Sequence, residues 1–231
     1  MNIAIICARK NSKRIKNKNF ISVAGKPLIN YTVDAAVKSR LFSNIIINTD
    51  NKKYIYNKNN NKKVSIYHRP ARLAGSKSRV IEVIKEMLSS LNIKLDANIF
   101  VLFPTCPLRN SKDIKDAYKI YKKFNCKKQL ISVSEYLPSI DVAFYLNKKN
   151  LLKNKFLNKY NKSPGNNNHG KFYFCNYGII ILNASKILTI KKLVNENSLH
   201  YLMPFDRSID IDEISQLRII RKILRKWKIL L

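Results

Sequence analysis

The chain has 231 residues, and at 45% hydrophobic composition it carries enough apolar side chain to bury a sizeable core, which excludes wholesale disorder. Its longest apolar runs, such as Ile3–Ala8, are strand-length and fall far short of the ~20 residues a membrane span needs. The formal charge is +31, but most of the basic residues are Lys spread evenly beside abundant Asn and Ile, as AT-rich codons would produce, and no zinc-finger, RNA-recognition or helix-turn-helix spacing accompanies them. A basic nucleic-acid binder is thereby the lesser alternative; it predicts steeply salt-dependent affinity.

In chain order, Asn2–Cys7 reads as a buried strand, with no basic lead-in or cleavage site of a secretory signal before it. Pro27 opens a helix in which Leu28, Tyr31, Thr32, Ala35 and Ala36 recur at helical spacing. Asn44–Thr49 is a second buried strand, Asn51–Asn61 a frayed surface helix or loop, and Val64–Tyr67 a short strand. Val80, Val83, Ile84, Met87, Leu88 and Leu91 form a helical stripe. Asn98–Phe103 is a central strand closed by Pro104, Lys112–Phe124 an amphipathic helix, and Gln129–Ser134 a strand.

Repeated strand–helix–strand units predict an α/β fold with a doubly wound, mostly parallel sheet. The rhythm breaks over about residues 135–172, a Lys/Asn-rich stretch holding Ser163-Pro164-Gly165 and Asn166–Asn168, which reads as an insertion protruding from one domain that spans 1–231. Tyr177–Leu182 resumes the core, and Ile214–Leu230 closes the chain as a basic amphipathic helix. The cysteines Cys7, Cys106, Cys126 and Cys175 have neither CxxC nor metal-ligand spacing, so a reduced cytoplasmic protein is expected. Cys106 reads as a small buried residue, and His68, His169 and His200 are isolated from any triad motif.

Ligands of open α/β sheets bind beyond the carboxyl ends of the strands. The loop after the first strand, Ala8–Asn19, concentrates cations with amide and hydroxyl donors there, which suits a polyphosphate, although it is no Walker loop. Asp210 and Asp212, spaced i, i+2, put both carboxylates on one side of an extended segment, a donor set for a hard cation. Asp212 as a helix N-cap is the structural alternative.

Ala8–Asn19 with Ala24-Gly25-Lys26-Pro27-Leu28-Ile29 resembles the opening signature of the acylneuraminate cytidylyltransferases, approximately A-R-x-G-S-K-x-I-x-x-K-N followed by G-K-P-L-I. Four further blocks keep that family's order: Ile46–Asp50, Arg69-Pro70 with Ile81–Ile84, Pro104-Thr105-Cys106-Pro107-Leu108-Arg109, and Ser208–Asp212. The resemblance implies a Rossmann-like nucleotidyltransferase that joins CTP to a nine-carbon 2-keto sugar acid (N-acetylneuraminic, legionaminic or pseudaminic acid) with Mg²⁺, releasing pyrophosphate and feeding surface-glycan synthesis. It further implies that Lys18, Arg9 and Asp210 are catalytic, and that Ala8, Arg9, Ser12, Lys13, Lys18, Asn19 and Arg69 hold the nucleotide. Thr105 and Arg109 would meet the sugar, Asp210 and Asp212 the metal, and the insertion would act as the arm of a homodimer. This sequence has Lys10-Asn11 at the usual glycine pair, Lys16 at a usual proline, Phe103 at a frequent glutamine, Ser76 at a usual aspartate, and Val80 at a usual serine. Two alternatives stay open: a Kdo cytidylyltransferase, and a catalytically silent nucleotide-binding paralogue.

Overall fold

The computed structural model describes residues 1–56, 61–137, 140, 143–154 and 171–229. Its elements are β1 (Asn2–Cys7), α1 (Leu28–Ser39), β2 (Asn44–Thr49), β3 (Val64–His68), α2 (Val80–Ser90), β4 (Asn98–Val101), α3 (Ser111–Lys123), β5 (Leu130–Glu135), β6 (Phe144–Leu146), β7 (Leu152–Asn154), β8 (Tyr173–Asn183), α4 (Ala184–Thr189), β9 (Leu199–Leu202) and α5 (Ile214–Ile229). Seven strands form one sheet in the order β3-β2-β1-β4-β8-β5-β9. Every neighbouring pair is parallel except those made by β8, which runs antiparallel to both β4 and β5.

The apolar runs split between two faces because successive strand side chains point opposite ways. Ala4, Ile6, Ile45, Ile47, Phe100, Ile179 and Ile181 pack under α1 and α3, whereas Ile3, Ile5, Ile46, Ile99, Val101, Ile180 and Leu182 pack under α2 and α4. This is the doubly wound α/β fold expected. A third cluster joins α5 to the loop after β1 through Ile15, Val23, Leu28, Leu108, Ile211, Leu217, Ile220 and Leu224.

The short elements β6, β7, α4 and β9 and the direction of β8 escaped the sequence reading. β9, a four-residue Leu-His-Tyr-Leu strand, is too short to show a period, and the direction of β8 leaves no trace in the composition of a strand buried on both faces. Within the expected insertion, β6 and β7 form a separate hairpin that exposes Phe144, Tyr145, Leu146, Leu151 and Leu152. Ser163-Pro164-Gly165, Asn166–Asn168 and His169 lie outside the described residues. The other two histidines, His68 and His200, sit on the opposite edge strands β3 and β9, so they form no pair. All four cysteines are free thiols, and no described helix is long and apolar enough to cross a membrane.

One buried carboxylate ties the last strand to the site. Asn110 caps α3 by accepting from the N–H groups of Lys112 and Asp113, and Asp113 answers by accepting from the Asn110 N–H, a capping box. The fully buried Asp113 also accepts from the Tyr201 hydroxyl at 2.8 Å and from Arg207 Nε and NH2 at 3.1 and 2.8 Å. Arg207 lies directly before Ser208–Asp212, so this ion pair fixes where that segment starts. Asp113→Ala strands a guanidinium and a phenol, and is expected to lower the unfolding free energy by about 3–5 kcal/mol in urea titrations.

Candidate active site

A cleft of about 680 Å³ opens across the carboxyl ends of β1 to β4. The loop after β1 forms its floor and is stitched in place by its own polar groups. The Lys10 N–H donates to Asp50 Oδ1 at 2.6 Å, and the Asn19 amide donates to the Arg9 carbonyl at 2.9 Å. Asn17 turns into the left-handed region (φ 54°), which asparagine tolerates, and starts the short turn that carries Lys18. Arg9, Ser12, Lys13, Arg14, Lys18 and Asn19 all line the cleft.

Lys18 is the best-anchored cation of the loop. Its ammonium donates to the Ile211 carbonyl at 2.6 Å and to Asp212 Oδ1 at 2.9 Å, with the side chain only 13% exposed. An ammonium has three N–H donors, so one remains for a ligand. Arg14 takes the other oxygen of Asp212 at 3.0 Å and Glu213 at 2.9 Å. Burial pushes the Asp212 carboxyl up, but the Lys18 and Arg14 contacts together outweigh it and hold the group below the ordinary aspartate value. Asp212 is not a helix cap: the N–H groups of Asp212 and Glu213 both donate to Gln216 Oε1 at 2.7 Å, leaving the Asp212 carboxylate to the cations.

Asp210 is the contrasting partner. Burial raises its pKa, a hydrogen bond from Thr105 pulls it down, and the nearby Asp212 charge pushes it up again. Its Oδ1 is buried without a hydrogen-bond partner. A stranded carboxylate oxygen beside a second carboxylate, at the mouth of a cation-lined cleft, fits a hard divalent cation whose remaining ligands come from a phosphate chain. Among the described residues no third acidic, His or Cys ligand joins them, so the pair does not form a self-sufficient metal cage.

The other expected site residues divide. Arg69 lines the cleft and is braced by Asn48, donating Nε to Asn48 Oδ1 at 2.9 Å and NH2 to Asn48 O at 3.3 Å. Thr105 lines it as well, with its hydroxyl engaged by Asp210. Arg109 does not reach the cleft. It is buried, donating NH1 to the carbonyls of Phe103 and Gly178 at 3.3 and 2.7 Å and NH2 to Thr32 Oγ1 at 2.6 Å, so it locks the Pro104–Arg109 turn to α1 and β8. Ala8 is also behind the wall, its N–H donating to the Asn48 carbonyl.

Neither Lys10 nor Asn11 adopts positive φ, and Lys10 faces a second hollow with Lys16 and Asn17, so these side chains stay out of the main cleft. Ser76, Val80 and Phe103 do line it. Sequence reasoning missed Arg14, Arg79, Lys191, Lys192 and Tyr177, which line it too. The lysines follow α4 in a segment without a motif. Tyr177 had one signal, its place between Asn176 and Gly178; it sits at φ 53° where β8 slips register, a conformation that costs a bulky residue about 1–3 kcal/mol.

The raised Asp210 carboxyl has a sign that can be checked in the cation-free protein. The folded state holds this proton more tightly than the unfolded chain, so ionised Asp210 costs stability at neutral pH, and the cost vanishes as pH falls through the raised value. Asp210→Asn is expected to raise Tm by roughly 2–4 °C near neutrality, the equivalent of about 1 kcal/mol for a buried unsatisfied group, with the gap to wild type closing on acidification. Thermal melts across a pH series without divalent cation read both effects.

A family model described as Cytidylyltransferase matches residues 3–173. An N-acylneuraminate cytidylyltransferase of Escherichia coli is 33% identical over 219 residues, covering 91% of this chain and 49% of its own. A pseudaminic acid cytidylyltransferase of Campylobacter jejuni is 34% identical over 152 residues, 64% of this chain and 65% of its own. A CMP-N,N'-diacetyllegionaminic acid synthase of Legionella pneumophila is 30% identical over 228 residues, 91% of this chain and 90% of its own. The chain thus spans about half the length of the first relative and just under two thirds of the second. Among solved structures, a CMP:2-keto-3-deoxy-manno-octonic acid synthetase complexed with CTP superposes with a TM-score of 0.66 at 12% identity, covering 97% of this chain and 98% of that one. A 4-diphosphocytidyl-2C-methyl-D-erythritol synthase gives 0.65 at 10% identity, covering 96% and 97%. At such identities these two show the fold alone. The family match runs from β1 to the start of β8, across the cationic loop, Asp50, Arg69 and the Pro104–Arg109 turn, and the chain belongs to the cytidylyltransferase family.

Proposed function

We propose that the protein transfers a cytidylyl group from CTP to a nine-carbon 2-keto sugar acid, giving the CMP-sugar and pyrophosphate for surface-glycan synthesis. The observation that carries this reading is the single cleft in which the cationic loop, ending in Lys18, meets the stranded carboxylate of Asp210. The names of the E. coli, C. jejuni and L. pneumophila relatives support a nonulosonic acid as the acceptor. The octonic acid synthetase likeness, being one of fold, supports the Kdo alternative only weakly.

In this reading the anomeric hydroxyl oxygen of the sugar bonds to the α-phosphorus while the bond to the bridging oxygen breaks, pyrophosphate departs with that electron pair, and the hydroxyl proton is released to solvent. Lys18 directs its remaining N–H at the α-phosphate, Arg9, Ser12 and Lys13 cradle the outer phosphates, and Arg69 meets the cytidine. Asp210 and Asp212 would hold Mg²⁺, which supplies neutralisation of the phosphate charge when bound. Thr105 orients Asp210, and Arg109 sets the turn that carries Thr105. Catalysis is then positioning and charge stabilisation with little covalent chemistry for the protein. Its CTP supply and free thiols fit the cytoplasm.

We further place the exposed apolar hairpin β6–β7 at the contact of a homodimer, as part of an arm over residues 135–172, since five large apolar side chains stand exposed there. A Phe144→Asp/Leu152→Asp variant is expected to elute as a monomer in light-scattering chromatography where the wild type elutes as a dimer. For the chemistry, pyrophosphate release from CTP and Mg²⁺ should appear with one or more nonulosonic acids. Lys18→Ala should lower kcat by about 10²–10³-fold, the usual loss for one charge-stabilising donor. Asp210→Asn should abolish turnover while leaving a folded protein. A folded protein that binds CTP and releases no pyrophosphate with any acid of the panel would establish the silent paralogue instead.

A further inference from the structure

The cleft straddles the sheet asymmetrically. Arg69 and its brace Asn48 stand over β2 and β3, and the loop after β1 fills the centre. Over β4 and β8 the wall is aromatic. The Phe103 ring, just past β4, meets the Tyr177 ring edge-on at 5.9 Å and 82°, and both share the cleft with Thr105 and Asp210.

The molecule commits a buried network to holding Tyr177 there. Ser132 Oγ donates to Asn176 Oδ1 at 2.5 Å, Asn176 Nδ2 donates to Ser134 Oγ at 2.9 Å, and the N–H groups of Gly178 and Ile179 donate to Asn176 Oδ1 and Ser132 Oγ at 3.0 and 2.8 Å. Gly178 lets the strand pack closely beside it: a Cβ there would come within 3.1 Å of Met203 Cε and 3.2 Å of Asn176 Oδ1, so those side chains would have to shift. The register shift of β8 between Cys175 and Ile180 re-aims the intervening side chains, as bulges beside active sites do. Yet the ring so positioned is 42% exposed, so it is not held for packing. Phe103 is fixed in turn, its carbonyl accepting from Arg109 NH1 at 3.3 Å and Thr32 Oγ1 at 3.4 Å.

We propose that Phe103 and Tyr177 form an aromatic wall at the acceptor end of the cleft that selects 2-keto sugar acids presenting deoxy carbons and N-acyl methyl groups over acids presenting hydroxyls at the same positions. This deepens the proposed function and rests on it. An aromatic face or edge gains from C–H contact, whereas a hydroxyl turned onto it gives up water without a replacement partner. One such difference in an apolar pocket discriminates by roughly 10- to 100-fold.

The test compares kcat/KM, with CTP and Mg²⁺, for a deoxy diacylamino acid (pseudaminic or N,N'-diacetyllegionaminic acid) against N-acetylneuraminic acid. The wild type is expected to favour the deoxy acid at least tenfold. Phe103→Gln and Tyr177→Asn should each reduce that ratio, and the double variant should bring it close to one. Because asparagine tolerates positive φ, Tyr177→Asn should melt at or above the wild-type temperature, which a merely structural tyrosine would not allow. Saturation-transfer NMR should show transfer from aromatic protons to the N-acyl methyl signals in the wild type and its loss in Tyr177→Asn. If Phe103→Gln fails to fold, Tyr177→Asn alone decides. Transfer to a sugar acid with an unmoved ratio, or a wild-type preference for N-acetylneuraminic acid, overturns the aromatic wall and leaves the transferase standing. A folded protein that transfers to none of the acids overturns both.

Discussion

The site is closed by cations of one loop. Lys18 joins the loop after β1 to residues 211 and 212 near the other end of the chain, and Arg14 of the same loop reaches Asp212 and Glu213, so the loop's cations and the paired carboxylates share one surface. Each side is prepared for it independently. The loop is pinned by Lys10 on Asp50 and Asn19 on Arg9, and the acidic segment is pinned by Arg207 on Asp113 and by the Ile211 N–H on the Thr105 carbonyl. Below them, Ile15, Leu108, Ile211 and the apolar face of α5 bury one another, so the polar contact sits on a hydrophobic base. Partial burial matters here: a lysine as exposed as most in this chain would gain little from a single carboxylate.

The two aspartates show how environment separates identical side chains. Asp212 is neutralised by Lys18 and Arg14 and keeps its charge easily, while Asp210, two residues earlier on the same extended run, is desolvated and left with a stranded oxygen. A protein selected for stability alone would remove that oxygen. Its retention, like the left-handed Tyr177, marks the part of the molecule where local cost is tolerated for what a ligand gains.

Much of this was legible in the residues. Buried strands announce themselves by unbroken Ile and Val, so β1, β2 and β4 stand where Asn2–Cys7, Asn44–Thr49 and Asn98–Phe103 were expected, and the helices follow from their apolar stripes. The cleft-lining group Arg9, Ser12, Lys13, Lys18, Asn19, Arg69, Thr105, Asp210 and Asp212 could be named in advance because it falls in the blocks that resemble the acylneuraminate cytidylyltransferases, the first of them a cationic loop at a strand's carboxyl end. Arg109 could not be placed from the sequence, because an arginine buried against backbone carbonyls and an arginine lining a cleft look the same in one dimension. Arg14 and Tyr177 were passed over for a related reason. Their significance comes from partners far along the chain, Asp212 for one and Phe103 for the other, and no local spacing encodes such meetings.

The reversed strand β8 has a consequence for how such a molecule can diversify. β5 leaves the sheet at Glu135 and β8 re-enters at Tyr173, and these two residues pair with each other at the edge where the parallel strands end. The intervening segment therefore departs from and returns to adjacent positions of two paired strands, where the Tyr136 N–H also donates to the Phe172 carbonyl. Its length and chemistry are free to vary without shifting the register of any strand or disturbing the loop after β1. The segment is thereby modular, able to drift at one seam while the strands and the loop after β1 stay unchanged.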